Sequence, residues 1–301
     1  MIKSKNIVNE ALESNGVDGT WKTVKPAVKK AINYCKIDYW SKYIEPLVKQ
    51  GNLLKLVELE ENDLSWKSIM YGLPKGVLSF AVRATIDCLP SPDNLMLWGK
   101  KLSDRCKLCG GKGTLLHLLN WCPVALDQGR FTYRHNSVLS SILKSLKSGA
   151  TSNNIQIQIF ADLPGNTVNG GTVPASIIPT TEKPDICLYL PDKNKVILIE
   201  LTVPFESNIT QARQRKCDRY GSLVNDINTA GYSCSLICLE IGSRGVVTKE
   251  NMSQLKNLFK FVGVRKCKDL SNSLSRISLI CSYVIFNARN ELVWTDLSLL
   301  Q

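Results

Sequence analysis

Three cysteines and one histidine fall within seventeen residues, in the order Cys106-x2-Cys109-x7-His117-x4-Cys122. Two cysteines separated by two residues form a tight turn whose thiolates point inward, and the glycines that follow Cys109 let the backbone fold back. His117 and Cys122, on a short helix after the turn, can complete a tetrahedral set of ligands. Because the protein fills all four positions, the spacing predicts one structural Zn²⁺ ion rather than a catalytic one.

The other cysteines do not indicate a disulfide framework. The chain has 11 cysteines, an odd number, and the eight outside the cluster are expected to be buried or incidental thiols. The N-terminus has no apolar secretory signal, and the apolar runs Val196–Leu201 and Ile277–Phe286 are interrupted and too short to span a bilayer. We therefore expect an intracellular protein in a reducing compartment, with no membrane partner.

The net charge favours a polyanionic partner. The chain carries +12 at pH 7 over 301 residues, and its basic residues are spread along the sequence rather than placed beside an apolar anchor. This distribution favours nucleic acid over a membrane surface.

The pattern of apolar residues changes along the chain, from helical spacing to strands that alternate with helices. Residues 1–100 are expected to be helical, with helices at Trp21–Tyr43, Leu53–Glu60 and Gly76–Cys88 and a short turn at Asn94–Trp98. Residues 101–147 hold the Cys/His cluster and a helix from about Ser137 to Leu146. By composition, Ser148–Asn154 is a linker and Pro164–Thr181 is irregular.

Residues 155–301 have the pattern of a small mixed α/β domain. The strands are expected at Ile155–Ala161, Ile186–Leu190, Lys195–Val203 and Ser233–Ile241. The helices are expected at Ser207–Thr229, Lys249–Phe261 and Ser271–Asn287.

Two acids are expected to face each other across a hairpin in this domain. A turn centred on Asp192 and Lys193 pairs the two flanking strands so that Asp185 lies opposite Glu200. Cross-strand neighbours on one face are about 4.5–5.5 Å apart. Two carboxylates at that distance repel each other unless a cation holds them, and oxygen ligands suit Mg²⁺. Glu200 also interrupts an apolar run, so its carboxylate needs a partner.

A lysine lies on the apolar face of the helix that follows. Lys216 falls between Ala212 and Tyr220 at helical spacing. Its ammonium group either extends outward to solvent or meets the two carboxylates and a scissile phosphate.

This ordered series of motifs resembles the PD-(D/E)XK nuclease superfamily, and specifically the restriction-enzyme-like endonuclease that follows the reverse transcriptase in non-LTR retrotransposon proteins. The resemblance covers roughly Val77 to Tyr283. It includes Asn94-Leu95, Trp98, Thr114-Leu115-Leu116-His117 through Cys122, Tyr133-Arg134-His135-Asn136, Ala161-Asp162-Leu163-Pro164-Gly165, Lys183-Pro184-Asp185, Glu200-Leu201-Thr202-Val203-Pro204-Phe205-Glu206, Lys216, Arg219-Tyr220 and Gly242-Ser243-Arg244-Gly245.

The resemblance implies roles for individual residues. Asp185 and Glu200 are similar to the acids that bind catalytic Mg²⁺ or Mn²⁺. The lysine usually found two residues after the second acid is replaced by Thr202, and Lys216 matches the position from which the retrotransposon branch supplies it.

Two further residues keep open roles. Glu206 is either an additional acid behind the metal-binding pair or a favourable charge at a helix N-terminus. His135 is similar to a motif histidine that supports the zinc region, contacts phosphate or packs.

The resemblance also implies a fold and a function. We expect a helical region with a CCHC zinc site, followed by a restriction-endonuclease-like mixed-sheet domain that nicks DNA in the nucleus; element RNA is a second potential partner. The chain has no Tyr/Phe-x-Asp-Asp motif of a polymerase, so it is expected to be either a piece of a larger element or a descendant without the polymerase.

One alternative is a non-catalytic nucleic-acid-binding remnant. Another is a scaffold in which the acids and the lysine form a structural ion-pair group. The oligomeric state is left open.

Overall fold

The computed structural model describes residues 21–39, 42–43, 46–53, 72–262 and 267–295. Its helices in chain order are α1 (Trp21–Tyr39), α2 (Lys75–Thr85), α3 (Pro92–Leu97), α4 (Pro123–Asp127), α5 (Arg130–Ser152), α6 (Ile209–Thr229), α7 (Lys249–Phe261) and α8 (Cys267–Asn287). Shorter turns of helix are a π turn at His117–Trp121 and 3-10 turns at Pro191–Lys193, Glu206–Asn208 and Ala288–Asn290. Within these described residues, no helix is both long and apolar enough to cross a membrane.

Four strands form one mixed sheet in the order β1 (Gln158–Ala161), β2 (Ile186–Leu190), β3 (Lys195–Thr202) and β4 (Ser233–Glu240). β2 is antiparallel to both β1 and β3, and β3 is parallel to β4. The hairpin between β2 and β3 turns through Pro191–Lys193 and Asn194, whose φ of 45° lies in the left-handed region that asparagine tolerates. Parallel β3 and β4 need a crossover, which α6 supplies.

The two faces of the sheet are covered by different helices. Side chains alternate along a strand, so Ile197 and Ile199 of β3 contribute to one buried core and Val196 and Leu198 to another. The first core includes residues of α5, α7 and α8. The second includes Tyr220 and its neighbours on α6. Because both faces of the sheet are covered, the sequences of β2 and β3 are almost continuously apolar.

A third core surrounds the cysteine-rich segment. It combines Cys106, Cys122 and Leu119 with Phe80 of α2 and Phe286 of α8. Residues from the N-terminal and C-terminal parts of the chain therefore share one apolar cluster beside the sheet.

The structure confirms most of the elements expected from the sequence and corrects one. The helix expected to end at Leu146 continues to Ser152, so the prediction of a linker at Ser148–Asn154 is wrong. Gly149 and Ala150 are buried there, and the Asn153 side chain donates hydrogen bonds to Gly149 O at 2.8 Å and Val262 O at 3.0 Å. Tertiary packing thus overrides the weak helix propensity of these residues.

The same helix begins at Arg130 rather than at about Ser137, and the helix expected at Trp21–Tyr43 ends at Tyr39. The first strand begins at Gln158 rather than Ile155, and the helix expected at Leu53–Glu60 lies outside the described residues beyond Leu53. The stretch Pro164–Thr181 forms neither helix nor strand and contains one isolated bridge, between Val168 and Gly171.

Candidate functional site

The four residues of the Cys/His cluster meet in space. One ligand atom from each of Cys106, Cys109, His117 and Cys122 lies within 4.8 Å of all the others. The Sγ atoms of Cys106 and Cys122 are 3.9 Å apart, and Cys109 Sγ is 3.2 Å from His117 Nε2. Burial raises the pKa of Cys122 to about 12, so a bound cation is needed to keep this thiol ionised at neutral pH. The cluster can hold a metal ion.

Backbone geometry explains the spacing of the cluster. The Cys106 N–H donates to Gly111 O at 2.7 Å and the Gly110 N–H donates to Cys106 O at 2.9 Å, which closes the first turn. Gly110 has φ 74°, a conformation that favours glycine. His117 and Cys122 are joined by the π turn, in which bonds run from residue i to i+5. A separation of five residues therefore brings both side chains to the same side of the turn.

The two acids lie side by side where β2 begins and β3 ends. Ile186 pairs with Ile199, so the expected register places Asp185 beside Glu200, and both are buried. The Asp185 N–H donates to Glu200 Oε2 at 3.1 Å, and the Leu201 N–H donates to Asp185 Oδ2 at 2.7 Å. Burial, and then the charge of Asp185, raise the pKa of Glu200 despite its lysine partner. Lys216 thus offsets only part of the effect of burial and of the Asp185 charge on Glu200.

Helix α6 brings Lys216 to this acid pair. Its Nζ forms an ion pair with Glu200 Oε1, so the side chain does not extend into solvent away from the acids. Tyr220, one turn further on, donates its hydroxyl to Lys183 O at 3.0 Å and fixes the chain just before Asp185. The Arg219 Nε lies 3.3 Å from Glu182 Oε2 at the surface.

Helix α5 brings His135 to the other acid. His135 Nε2 lies 3.3 Å from Asp185 Oδ2 and 3.2 Å from Leu201 O. Two acceptors at one ring nitrogen require that this nitrogen carries the proton. Burial lowers the pKa of His135, but its hydrogen bond and charge interaction with Asp185 prevail and raise it to about 9. From the sequence, three roles were open for His135: support of the zinc region, contact with phosphate, and packing. In the structure its ring contacts Asp185.

Glu206 forms an ion pair that neither role considered for it had included. Its Oε1 accepts the Arg244 N–H at 2.6 Å and its Oε2 accepts Arg244 Nε at 2.6 Å, with both side chains buried. A Cβ on Gly242 would lie 2.3 Å from Glu206 Oε1, so only glycine allows this loop to approach. Although Glu206 begins the 3-10 turn before α6, Arg244 neutralises its charge. Glu206 is thus a buried ion-pair partner and not a free acid beside the site.

The Cys/His cluster is tied directly to the end of β3. The Asn120 side chain, within the π turn, donates to Val203 O at 2.9 Å. Arg134 is buried and donates to Leu119 O at 2.9 Å and to Val203 O at 3.3 Å. The cluster and the acid pair thus form one connected structure. The sequence did not predict Asn120 and Arg134 as structural links, because their contacts with Val203 join residues that are far apart in the sequence.

A cleft of about 960 Å³ opens between the Cys/His turn and α6, next to the acid pair. Its lining includes Trp121, His135, Thr202, Arg215 and Lys216. The Thr202 hydroxyl, at the position of the usual lysine, is buried and has no hydrogen-bond partner among the described residues.

Fold and site together define a basic protein of mixed helix and sheet, in which a Cys/His cluster that could hold a metal ion is linked to an acid pair with a lysine. No protein-family model matches the chain, and no curated protein matches it either.

Proposed function

We propose that this chain is a metal-dependent DNA endonuclease of the PD-(D/E)XK type, similar to those of non-LTR retrotransposons, and that it nicks one DNA strand in the nucleus. One observation supports this proposal above all. Asp185, Glu200 and Lys216 are motif residues spread over 32 positions of the sequence. In the structure Glu200 contacts both of the others, and Lys216 lines an open cleft.

The acid pair fits a divalent cation. It offers carboxylate oxygens, the donors that Mg²⁺ and Mn²⁺ prefer. Burial, and then the charge of Asp185, raise the pKa of Glu200, so a bound cation would favour its ionised form. When bound, such an ion would lower the pKa of a water molecule and polarise a phosphate oxygen. Asp185 and Glu200 are the residues that would hold it.

The other residues have separate roles in phosphodiester hydrolysis. His135 keeps the Asp185 carboxylate in place through its Nε2 proton. Lys216 places an ammonium group where negative charge develops on the phosphate oxygens, and this charge is stabilised most strongly in the transition state. The net charge of +12 supplies salt-dependent attraction to the DNA backbone.

Zn²⁺ is the metal that best suits the Cys/His cluster. Three thiolates and one imidazole form a closed tetrahedral set of soft ligands, which is typical of structural zinc. Through Asn120 and Arg134, the ion would stabilise the end of β3, three residues after Glu200.

A plasmid-nicking assay on zinc-loaded protein, with Mg²⁺ or Mn²⁺, tests the nuclease. We expect the parent to convert supercoiled DNA to open-circular DNA, and Asp185→Asn to lose this activity while it still binds DNA. Asp192→Asn is the matched control, since Asp192 is an exposed acid in the turn of the same hairpin. DNA binding by the parent without any nicking would refute the nuclease and leave a nucleic-acid-binding remnant.

One observation favours the alternative of a structural ion-pair group. Each acid already has a cationic partner, Lys216 for Glu200 and His135 for Asp185. A melting curve with and without Mn²⁺ separates the two, because a metal site is stabilised by its ligand. If Mn²⁺ leaves the melting temperature of the parent unchanged, the acids do not hold a metal.

A further inference from the structure

The cleft beside the acid pair has two chemically different walls. The wall next to the Cys/His cluster presents Trp121, Leu126 and Phe131. The opposite wall, on α6, presents polar and charged side chains, which are Gln211, Gln214, Arg215, Lys216 and Asp218. Lys216 lines the cleft and forms an ion pair with Glu200 behind it, so a ligand that fills the cleft along both walls meets the cationic partner of the acid pair.

Trp121 is an exposed aromatic residue held by the metal-binding turn. It lies in the π turn directly before Cys122, and 61% of its surface is exposed. Its neighbours Leu118 and Leu119 fill the core on the other side of the turn, so the core does not use the indole ring. A large exposed aromatic ring beside a cleft is typical of a binding surface.

Arg215 provides a positive charge on the opposite wall. It is exposed, and no acid among the described residues forms an ion pair with it. The acid on this wall, Asp218, accepts a hydrogen bond from the Gln214 amide at 2.7 Å. A guanidinium group binds phosphate through two parallel donors. An aromatic wall opposite a basic wall is the arrangement that accommodates bases on one side and phosphates on the other.

We propose that Trp121 stacks on an unpaired base of a DNA strand whose phosphates lie along Arg215 toward the acid pair. The ligand is an unpaired strand because the faces of bases within a duplex are covered by their neighbours, so an indole ring can stack only on a base that has left the helix. The proposal rests on the proposed nuclease in taking DNA as the ligand and in assigning the strand in the cleft as the one to be cut; base stacking itself requires no cleavage.

Fluorescence anisotropy without Mg²⁺ or Mn²⁺ measures binding separately from cleavage. The probes are two labelled DNAs of equal length, one fully paired and one with a short unpaired segment, added to zinc-loaded protein. Trp121→Ala should weaken binding of the DNA with the unpaired segment about 10-fold, a loss within the range for one base–aromatic stack, and leave binding of paired DNA unchanged. Trp121→Phe, which keeps a ring, should restore most of the loss.

Trp98→Ala is the matched control. Trp98 is also partly exposed, at 43%, but it does not line the cleft, so its replacement should change neither affinity. Zinc content and melting temperature show whether each variant is folded. If Trp121→Ala is destabilised, Trp121→Leu keeps apolar volume without a ring, and it should show the same selective loss.

The outcomes separate this site from the nuclease. An equal loss for both DNAs, or no loss with folded Trp121→Ala or Trp121→Leu, would overturn the stacking site. A selective loss in a protein that never nicks DNA would support the stacking site and refute the nuclease. Nicking that is unaffected by Trp121→Leu on DNA with an unpaired segment would refute the assignment of this strand as the one to be cut.

Discussion

At the scale of single residues, the acid pair is stabilised from both faces of the sheet. Asp185 meets His135 from α5, and Glu200 meets Lys216 from α6; these two helices cover opposite faces. A buried carboxylate is tolerated only with such partners. The pair is therefore buried between two cationic groups, and its partners His135 and Lys216 both line the cleft.

Replacement of the lysine tests whether its position or only its charge matters. Lys216→Ala should reduce the nicking rate about 10²–10³-fold, the usual cost of losing one group that stabilises transition-state charge. Thr202 lies on β3 two residues after Glu200 and hence on the same face, and it lines the cleft. The double variant Lys216→Ala/Thr202→Lys should therefore regain at least about tenfold in rate over the single variant.

The measurement is the initial rate of plasmid nicking at saturating Mg²⁺. Lys193→Ala, at an exposed position in the hairpin turn, controls for the loss of one positive charge from DNA binding. A rate for Lys216→Ala equal to that of Lys193→Ala would remove Lys216 from the reaction.

At the scale of elements, the local parts of the site were predictable and the long-range parts were not. The register of β2 and β3 follows from one turn, Pro191–Asn194, so the pairing of Asp185 with Glu200 was correct. The position of Lys216 on the inner face of α6 follows from helical periodicity. The contact of His135 with Asp185 joins residues 50 positions apart, and no local pattern determines how α5 packs on the sheet.

Composition also misled where tertiary packing decides the structure. Serine, glycine and threonine after Leu146 are typical of a linker, yet burial of Gly149 and Ala150 keeps α5 helical to Ser152. Likewise, Glu206 was expected to be an acid beside the site or a charge at a helix N-terminus, and its ion pair with Arg244 was not predicted because the two residues are 38 positions apart.

The junction of α6 with β4 should make stability depend on pH. Glu240 at the end of β4 is buried and accepts a hydrogen bond from Arg213 Nε at 3.0 Å. Burial raises its pKa above the ordinary value of 4.5, against the opposing effect of Arg213. The native state then holds a proton that the unfolded state has lost, so the stabilisation is complete below pH 4.5 and disappears as the pH rises through the native pKa.

Glu240→Gln cannot ionise and escapes that loss. Its free energy of unfolding relative to the parent should therefore increase as the pH rises from about 4 to 7, as measured by urea unfolding. The difference between variant and parent cancels the titration of groups far from this junction. Glu291→Gln, at an exposed acid, should show no such trend, and a flat difference for Glu240→Gln would show that Arg213 fully compensates the burial.

At the scale of the whole molecule, the Cys/His cluster connects parts of the chain that are far apart in sequence. Its core includes α2, the π turn and α8, and its π turn binds the end of β3 through Asn120. Loss of the metal should therefore weaken both the folded state and the acid pair, and not only a local loop.

Removal of the metal with a chelator should lower the melting temperature by roughly 10 °C, because a structural zinc site contributes its binding energy to folding and each kcal/mol shifts a protein of this size by a few degrees. Cys106→Ser should reproduce the shift and abolish binding of one Zn²⁺ per chain, as measured by elemental analysis. Cys217→Ser is the matched control, since Cys217 is an exposed thiol outside the cluster.

Nicking should fall together with the zinc content, because Val203 loses its anchor to Asn120 and the end of β3 no longer holds Glu200 beside Asp185. Full activity in zinc-free, folded protein would show instead that the sheet and α6 position the acids without help from the cluster.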